Sequence, residues 1–183
     1  MDKDNNTVIE SDAASYVAFI AKPIATTKEF AAILAHQVPA VVVKETQVFL
    51  RSAGERNREG VALWIGKRSP DAFVITRVII PRQSASRYHF DVPLDERIRI
   101  VLSLGQEELV VAQVHSHPEE AFHSPTDDRK AIVDRQWALS IVVPDFCKEE
   151  LQDLSISATF ALRGPLDWVQ LSREQIKRVF IIR

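Results

Sequence analysis

LVVAQVHSHPEEAFHSPTDD, residues 109–128, decides the fold, because an apolar run ends on two histidines and a helix start follows within a few residues. Leu109 to Val114 reads as a short apolar strand that runs directly into His115-Ser116-His117-Pro118. Residues i and i+2 of an extended chain point to the same side, so the two histidines can hold one metal ion. Pro118 stiffens the exit from the strand. Ser124 followed by Pro125 has the form of a helix N-cap and first helical position, which predicts a helix from Pro125 to about Trp137 with Asp127 in its first turn. A strand, a tight polar loop and a helix in succession are the unit of a layered α/β domain.

Working outward, β-branched and aromatic residues dominate Val61 to Ile65 and Phe73 to Ile80, with Ser69 and Pro70 between them, so a strand, a turn and a strand are expected. Leu94, Ile98, Val101 and Leu102 mark one face of a helix that ends at Gly105. Ala138 to Val143 and Ile156 to Leu162 read as further strands, and a terminal segment follows Ser172. Upstream, Thr26 and Glu29 have the spacing of a capping box, which predicts a helix over Thr26 to His36. A second helix is expected over Glu45 to Ala53, closed by Gly54 in a left-handed conformation, with a polar loop from Glu55 to Arg58. The alternation predicts a mixed β-sheet flanked by helices, one domain over residues 7–183 after a fraying, polar segment at residues 1–6.

Bulk properties narrow the function. The 23 basic and 25 acidic residues leave a net charge of -2, so neither a nucleic-acid groove nor an anionic membrane surface is indicated as partner. The apolar stretches Val38 to Val43 and Ala138 to Pro144 are far shorter than the roughly 20 residues that span a bilayer. Cys147 is the single cysteine and has no intramolecular disulfide partner. The first thirty residues lack the basic, apolar and small-residue order of a secretory signal, so a cytoplasmic location is expected. Cys147 and the tryptophans Trp64, Trp137 and Trp168 read as packing residues, His36 and His89 as surface or packing residues, and His123 as a loop residue.

Two imidazoles and one carboxylate leave the fourth position of a tetrahedral zinc site open for water, the arrangement of catalytic rather than structural zinc. Asp127, ten residues beyond His117, can supply the carboxylate, with Asp128 as the fallback. A general base is still needed that reaches the water without occupying the metal. Glu59, at the start of the Val61 strand, is the candidate, and Glu55 lies close enough in sequence to compete.

These residues resemble the JAB/MPN/Mov34 metalloenzymes, also called JAMM, whose signature is a distant glutamate, His-x-His-Pro and Ser-x-x-Asp. Here the elements read Glu59, then His115-Ser116-His117-Pro118, then Ser124-Pro125-Thr126-Asp127, within a similarity covering roughly Lys44 to Pro144. The resemblance implies a cytidine-deaminase-like fold in which His115, His117 and Asp127 bind one Zn²⁺ with an activated water. It implies that Glu59 is the acid–base residue and that Ser124 stabilises an oxyanion. Two features depart from the pattern: five residues, Glu119 to His123, separate the proline from the serine where many members have six, and Ala62 replaces a glycine. Members with the full metal set are peptidases or isopeptidases that cut after the C-terminal tail of ubiquitin or a ubiquitin-like protein. The compact chain is similar to stand-alone prokaryotic members, some of which accompany ubiquitin-like conjugation and antiviral systems. The alternatives are a non-catalytic binding scaffold and a peptidase that processes a sulfur-carrier precursor. The single cysteine argues against a nucleoside deaminase, whose site needs a Pro-Cys-x-x-Cys pair.

Overall fold

The computed structural model describes residues 21–183; the expected fraying of residues 1–6 lies outside them. Among the described residues, ten strands and five α-helices follow in the order α1 (Thr27–Ala31), β1 (Ala35–Val38), α2 (Ala40–Glu55), β2 (Val61–Arg68), β3 (Ala72–Ile79), β4 (Ser84–Ser86), β5 (His89–Asp91), α3 (Leu94–Ser103), β6 (Glu108–Ser116), α4 (Pro125–Lys130), β7 (Leu139–Val143), β8 (Ala158–Gly164), β9 (Asp167–Gln170), α5 (Arg173–Val179) and β10 (Phe180–Ile182). Eight strands form one mixed sheet in the order β10-β1-β3-β2-β6-β7-β8-β9, and β4 and β5 make a separate hairpin. Among the described residues no helix is long and apolar enough to cross a membrane.

The central strands are apolar without alternation because both faces of the sheet are covered. Residues Val61 to Ile65 are all fully buried. Trp64 faces α2, where its indole N–H donates to Thr46 Oγ1 at 2.9 Å within a core that includes Val42, Val43 and Leu50. Val61, Leu63 and Ile65 face the other way, against Phe90, Val92 and Ile100 of β5, the following loop and α3. In the antiparallel pair β2–β6, Val61 opposes His115 and Leu63 opposes Gln113, so these residues share the second face. That face carries the chemistry.

Three expectations are corrected. The helix at Thr26 keeps its capping box but stops at Ala31, and Ala35–Val38 becomes β1, paired in parallel with both β3 and β10. The recurrence of Phe30, Ile33 and Leu34 is helical in period, yet pairing to strands far along the chain wins. The helix at Pro125 ends at Lys130: Ala131 is extended, and the N–H of Ile132 is taken by Gln113 Oε1 at 2.8 Å. Gly54 is not left-handed.

Gly54 lies inside α2, which runs to Glu55, and its missing side chain serves packing instead. A Cβ there would sit 2.3 Å from Phe146 Cβ. Phe146 belongs to the turn Asp145-Phe146-Cys147, in which all three residues adopt positive φ, of 50°, 53° and 61°. A side chain of α2 pins this strained turn: Arg51 Nε donates to the Cys147 carbonyl at 2.8 Å, while Gln47 Oε1 holds the chain beyond it by accepting from Leu151 N at 2.9 Å.

Replacing an interior helical glycine by alanine ordinarily stabilises by about 0.5–1 kcal/mol. Here the contact with Phe146 reverses the sign: Gly54→Ala should destabilise by about 1–3 kcal/mol in urea titration. Gly105→Ala, whose Cβ would meet nothing closer than 3.6 Å, should stay within about 0.5 kcal/mol of wild type.

Candidate metal centre

Continuing the β2–β6 register beyond Val61 and His115 sets Gly60 against Ser116, whose N–H donates to the Gly60 carbonyl at 3.1 Å, and then Glu59 beside His117. Both chain ends are held. Glu59 N donates to Ser86 O of the hairpin at 2.8 Å, and Gln83 accepts from Val61 N while donating to Val61 O. On the other strand, His117 N donates to Val143 O at 2.9 Å and His117 O accepts from Phe146 N at 2.8 Å. The strained turn thus serves to anchor the backbone of His117.

The third element is α4. Ser124 Oγ accepts from Asp127 N at 3.1 Å, and Asp127 Oδ2 accepts from Ser124 N at 2.7 Å, a reciprocal capping box. This cap fixes the Asp127 carboxylate, with Oδ1 3.6 Å from His115 Nε2 and Oδ2 3.5 Å from His117 Nε2. One donor atom from each of His115, His117 and Asp127 lies within 4.8 Å of the others, and all three residues are buried. Among the described residues, both nitrogens of His115 and Nδ1 of His117 have no hydrogen-bond partner. A buried polar atom left unmade costs about 1–3 kcal/mol, and a cation between the two rings and the carboxylate removes that cost for the nitrogen turned toward it. The donor set fits zinc, which accepts two imidazoles and a carboxylate.

Electrostatics agree with a cation-binding pocket. Burial pushes His115 down to about 4, leaving a neutral imidazole with a lone pair to give. Burial alone would raise Asp127, but the imidazoles that face it, His115 first and then His117, hold its carboxyl well below the ordinary range. Burial, and then the negative charge of Asp127, raise Glu59 to about 9. Glu59 is 4% exposed with Oε1 3.9 Å from His117 Nε2, whereas Glu55, the last residue of α2, is exposed.

Asp128 is turned elsewhere. Its Oδ1 is 2.8 Å from His123 Nδ1, and its Oδ2 accepts from Lys22 Nζ at 2.5 Å. His123 Nε2 lies 3.0 Å from Ser140 Oγ, which also accepts from Gln113 Nε2 at 3.1 Å. The rings of Phe160 and Trp168 lie 4.9 and 4.7 Å from the imidazole of His123. Asp128, His123 and Ser140 have the order of a hydrolytic triad, but Ser140 is fully buried and His123 is 3% exposed, so no substrate reaches them. The network instead ties α4 to β6 and β7, since Gln113 also holds Ile132 N. A histidine in a polar loop gives no local sign of this burial; the two aromatic rings come from β8 and β9.

Asp127→Ala should reduce bound metal to well below one equivalent in elemental analysis. Asp128→Asn should retain metal while losing about 1–3 kcal/mol of stability, from the broken contacts to His123 and Lys22.

Comparison with known proteins agrees with this geometry. The family of prokaryotic homologs of the JAB domain matches residues 43–156. A protein named "probable metalloprotease y4jG" from Sinorhizobium fredii is 35% identical over 150 residues, covering 79% of this chain and 92% of the relative. Among solved structures, the solution structure of protein DSY2949 from Desulfitobacterium hafniense superposes with a TM-score of 0.60 at 18% identity, covering 81% of this chain and 92% of that one. At that identity it supports the fold alone. With a family match across most of its length and a metal-capable His–His–Asp cluster inside the matched segment, the chain belongs to the prokaryotic JAB family.

Proposed function

We propose that the chain is a zinc-dependent peptidase or isopeptidase that cuts after the C-terminal tail of a ubiquitin-like protein, in deconjugation or in precursor processing. The observation that carries this reading is the buried convergence of His115, His117 and Asp127 with a second carboxyl, Glu59, held beside them. The name of the Sinorhizobium relative supports the protease class.

His115, His117 and Asp127 would hold the ion. When bound, zinc supplies a Lewis acid for a peptide carbonyl and enough positive charge for water to ionise at a pKa of about 7. Glu59 has the place of a general base: it does not share the capping contacts that fix Asp127, and its carboxyl stands at the edge of the cluster. Burial and the charge of Asp127 keep a proton on Glu59 while no cation faces it; a cation held by the cluster would favour its carboxylate form, which can accept a proton from water and return it to the departing amine. Ser124 Oγ is an acceptor in the helix cap, which leaves its hydroxyl proton to donate to an oxyanion.

For the substrate, the hairpin β4–β5 stands against Glu59 through Ser86, and its two strands pair only with each other among the described residues. An extended tail would pair along an open strand edge there, with small residues at the scissile bond. Recognition would then rest on backbone pairing rather than on a charged groove.

With fusions ending in a ubiquitin-like tail, Glu59→Gln should lose cleavage while keeping about one metal per chain. Ser124→Ala should lower kcat by about 10²–10³, beyond what the loss of the cap, about 1 kcal/mol of stability, explains. Cleavage by Glu59→Gln at the wild-type rate removes the assigned base. Wild-type protein that carries metal but turns over no tail favours the scaffold reading.

A further inference from the structure

The helix α3 is amphipathic in an unusual sense: more of its apolar surface faces outward than inward. Leu94, Ile98, Val101 and Leu102 are 71%, 50%, 65% and 80% exposed. On the opposite face only Glu96 and Ile100 are buried, and Glu96 is there to bind Arg99, at 2.5 and 2.7 Å, and Arg82 N. With 3.6 residues per turn, the four exposed residues fall in one arc of about 100°. None of them belongs to the metal cluster. Proteins that act as monomers rarely leave such a stripe uncovered.

The pattern is symmetric about Ile98, with Leu94 four residues before it and Leu102 four residues after. We infer that this stripe is the contact surface for a second copy of the chain, with the two α3 helices antiparallel and Ile98 on the two-fold axis. In that register Leu94 of each copy meets Leu102 of the other, and Ile98 meets Ile98, as an isologous interface requires.

Charge complementarity selects a second copy in this orientation. Asp95 and Arg99 lie on the same flank of the stripe. Antiparallel pairing about Ile98 places Asp95 of one copy about 3 Å along the helix axis from Arg99 of the other, at 1.5 Å rise per residue. Asp95 and Arg99 are 70% and 60% exposed despite their contacts with Arg82 and with buried Glu96, so both can also engage across the interface. Antiparallel helices also bring each positive N-terminus to the partner's negative C-terminus. A patch centred on one ten-residue helix falls at the low end of specific interfaces, below about 1,200 Å², so the dimer forms with rising concentration.

Sedimentation velocity of the full-length chain from low to high micromolar concentration should show a monomer–dimer equilibrium. Ile98→Glu should raise its dissociation constant by more than about tenfold without shifting the thermal melt. Orientation is read by disulfide trapping: a mixture of Leu94→Cys and Leu102→Cys chains should cross-link to each other, and neither alone should cross-link to itself. Wild-type protein that stays monomeric throughout overturns the inference and leaves the stripe to a different protein or to residues 1–20. Self-association unchanged by Ile98→Glu, or cross-linking of Leu94→Cys to itself, overturns it equally.

Discussion

The antiparallel pairing of β2 with β6 is the constraint on which the rest depends. Its register puts His115 across from Val61 and brings Glu59 alongside His117, so the base candidate and two ligand candidates are placed by one ladder of backbone hydrogen bonds. A slip of one residue would turn every side chain of one strand to the opposite face and scatter the cluster. The remaining elements preserve that register. The hairpin takes up Glu59 N, β7 takes up His117 N, and the capping box at Ser124 sets the direction of Asp127.

The strain in Asp145-Phe146-Cys147 belongs to the same account. Non-glycine residues with positive φ cost roughly 1–2 kcal/mol each, and three in succession persist only where neighbours hold them. Arg51 and the side-chain-free surface of Gly54 do so from α2. What that strain secures is the carbonyl contact at His117, which lies directly beside the metal cluster.

Much of the fold is legible in the sequence because its central strands are long, apolar and bounded by turn residues. The outer parts are not. Strands β1, β9 and β10 have three or four residues each, too few to show a period, and β1 and β10 are stabilised by partners far away in the chain. The helix over Thr26 to His36 is the clearest case, where a helical period loses to parallel pairing of Ala35–Val38. At the site, spacing alone leaves Asp127 and Asp128 as alternatives. They part only in three dimensions, where Asp127 turns to the two imidazoles while His123, buried under Phe160 and Trp168, draws Asp128 away. Neither aromatic residue is near them in sequence.

The central claim is that His115, His117 and Asp127 form a zinc site with no sulfur ligand. X-ray absorption at the zinc edge, on protein purified without chelator, tests it most directly. The account predicts a first shell of nitrogen and oxygen at about 2.0–2.2 Å with the multiple scattering of two imidazoles. A sulfur scatterer at about 2.3 Å, a single imidazole, or the same spectrum from His115→Ala would contradict it.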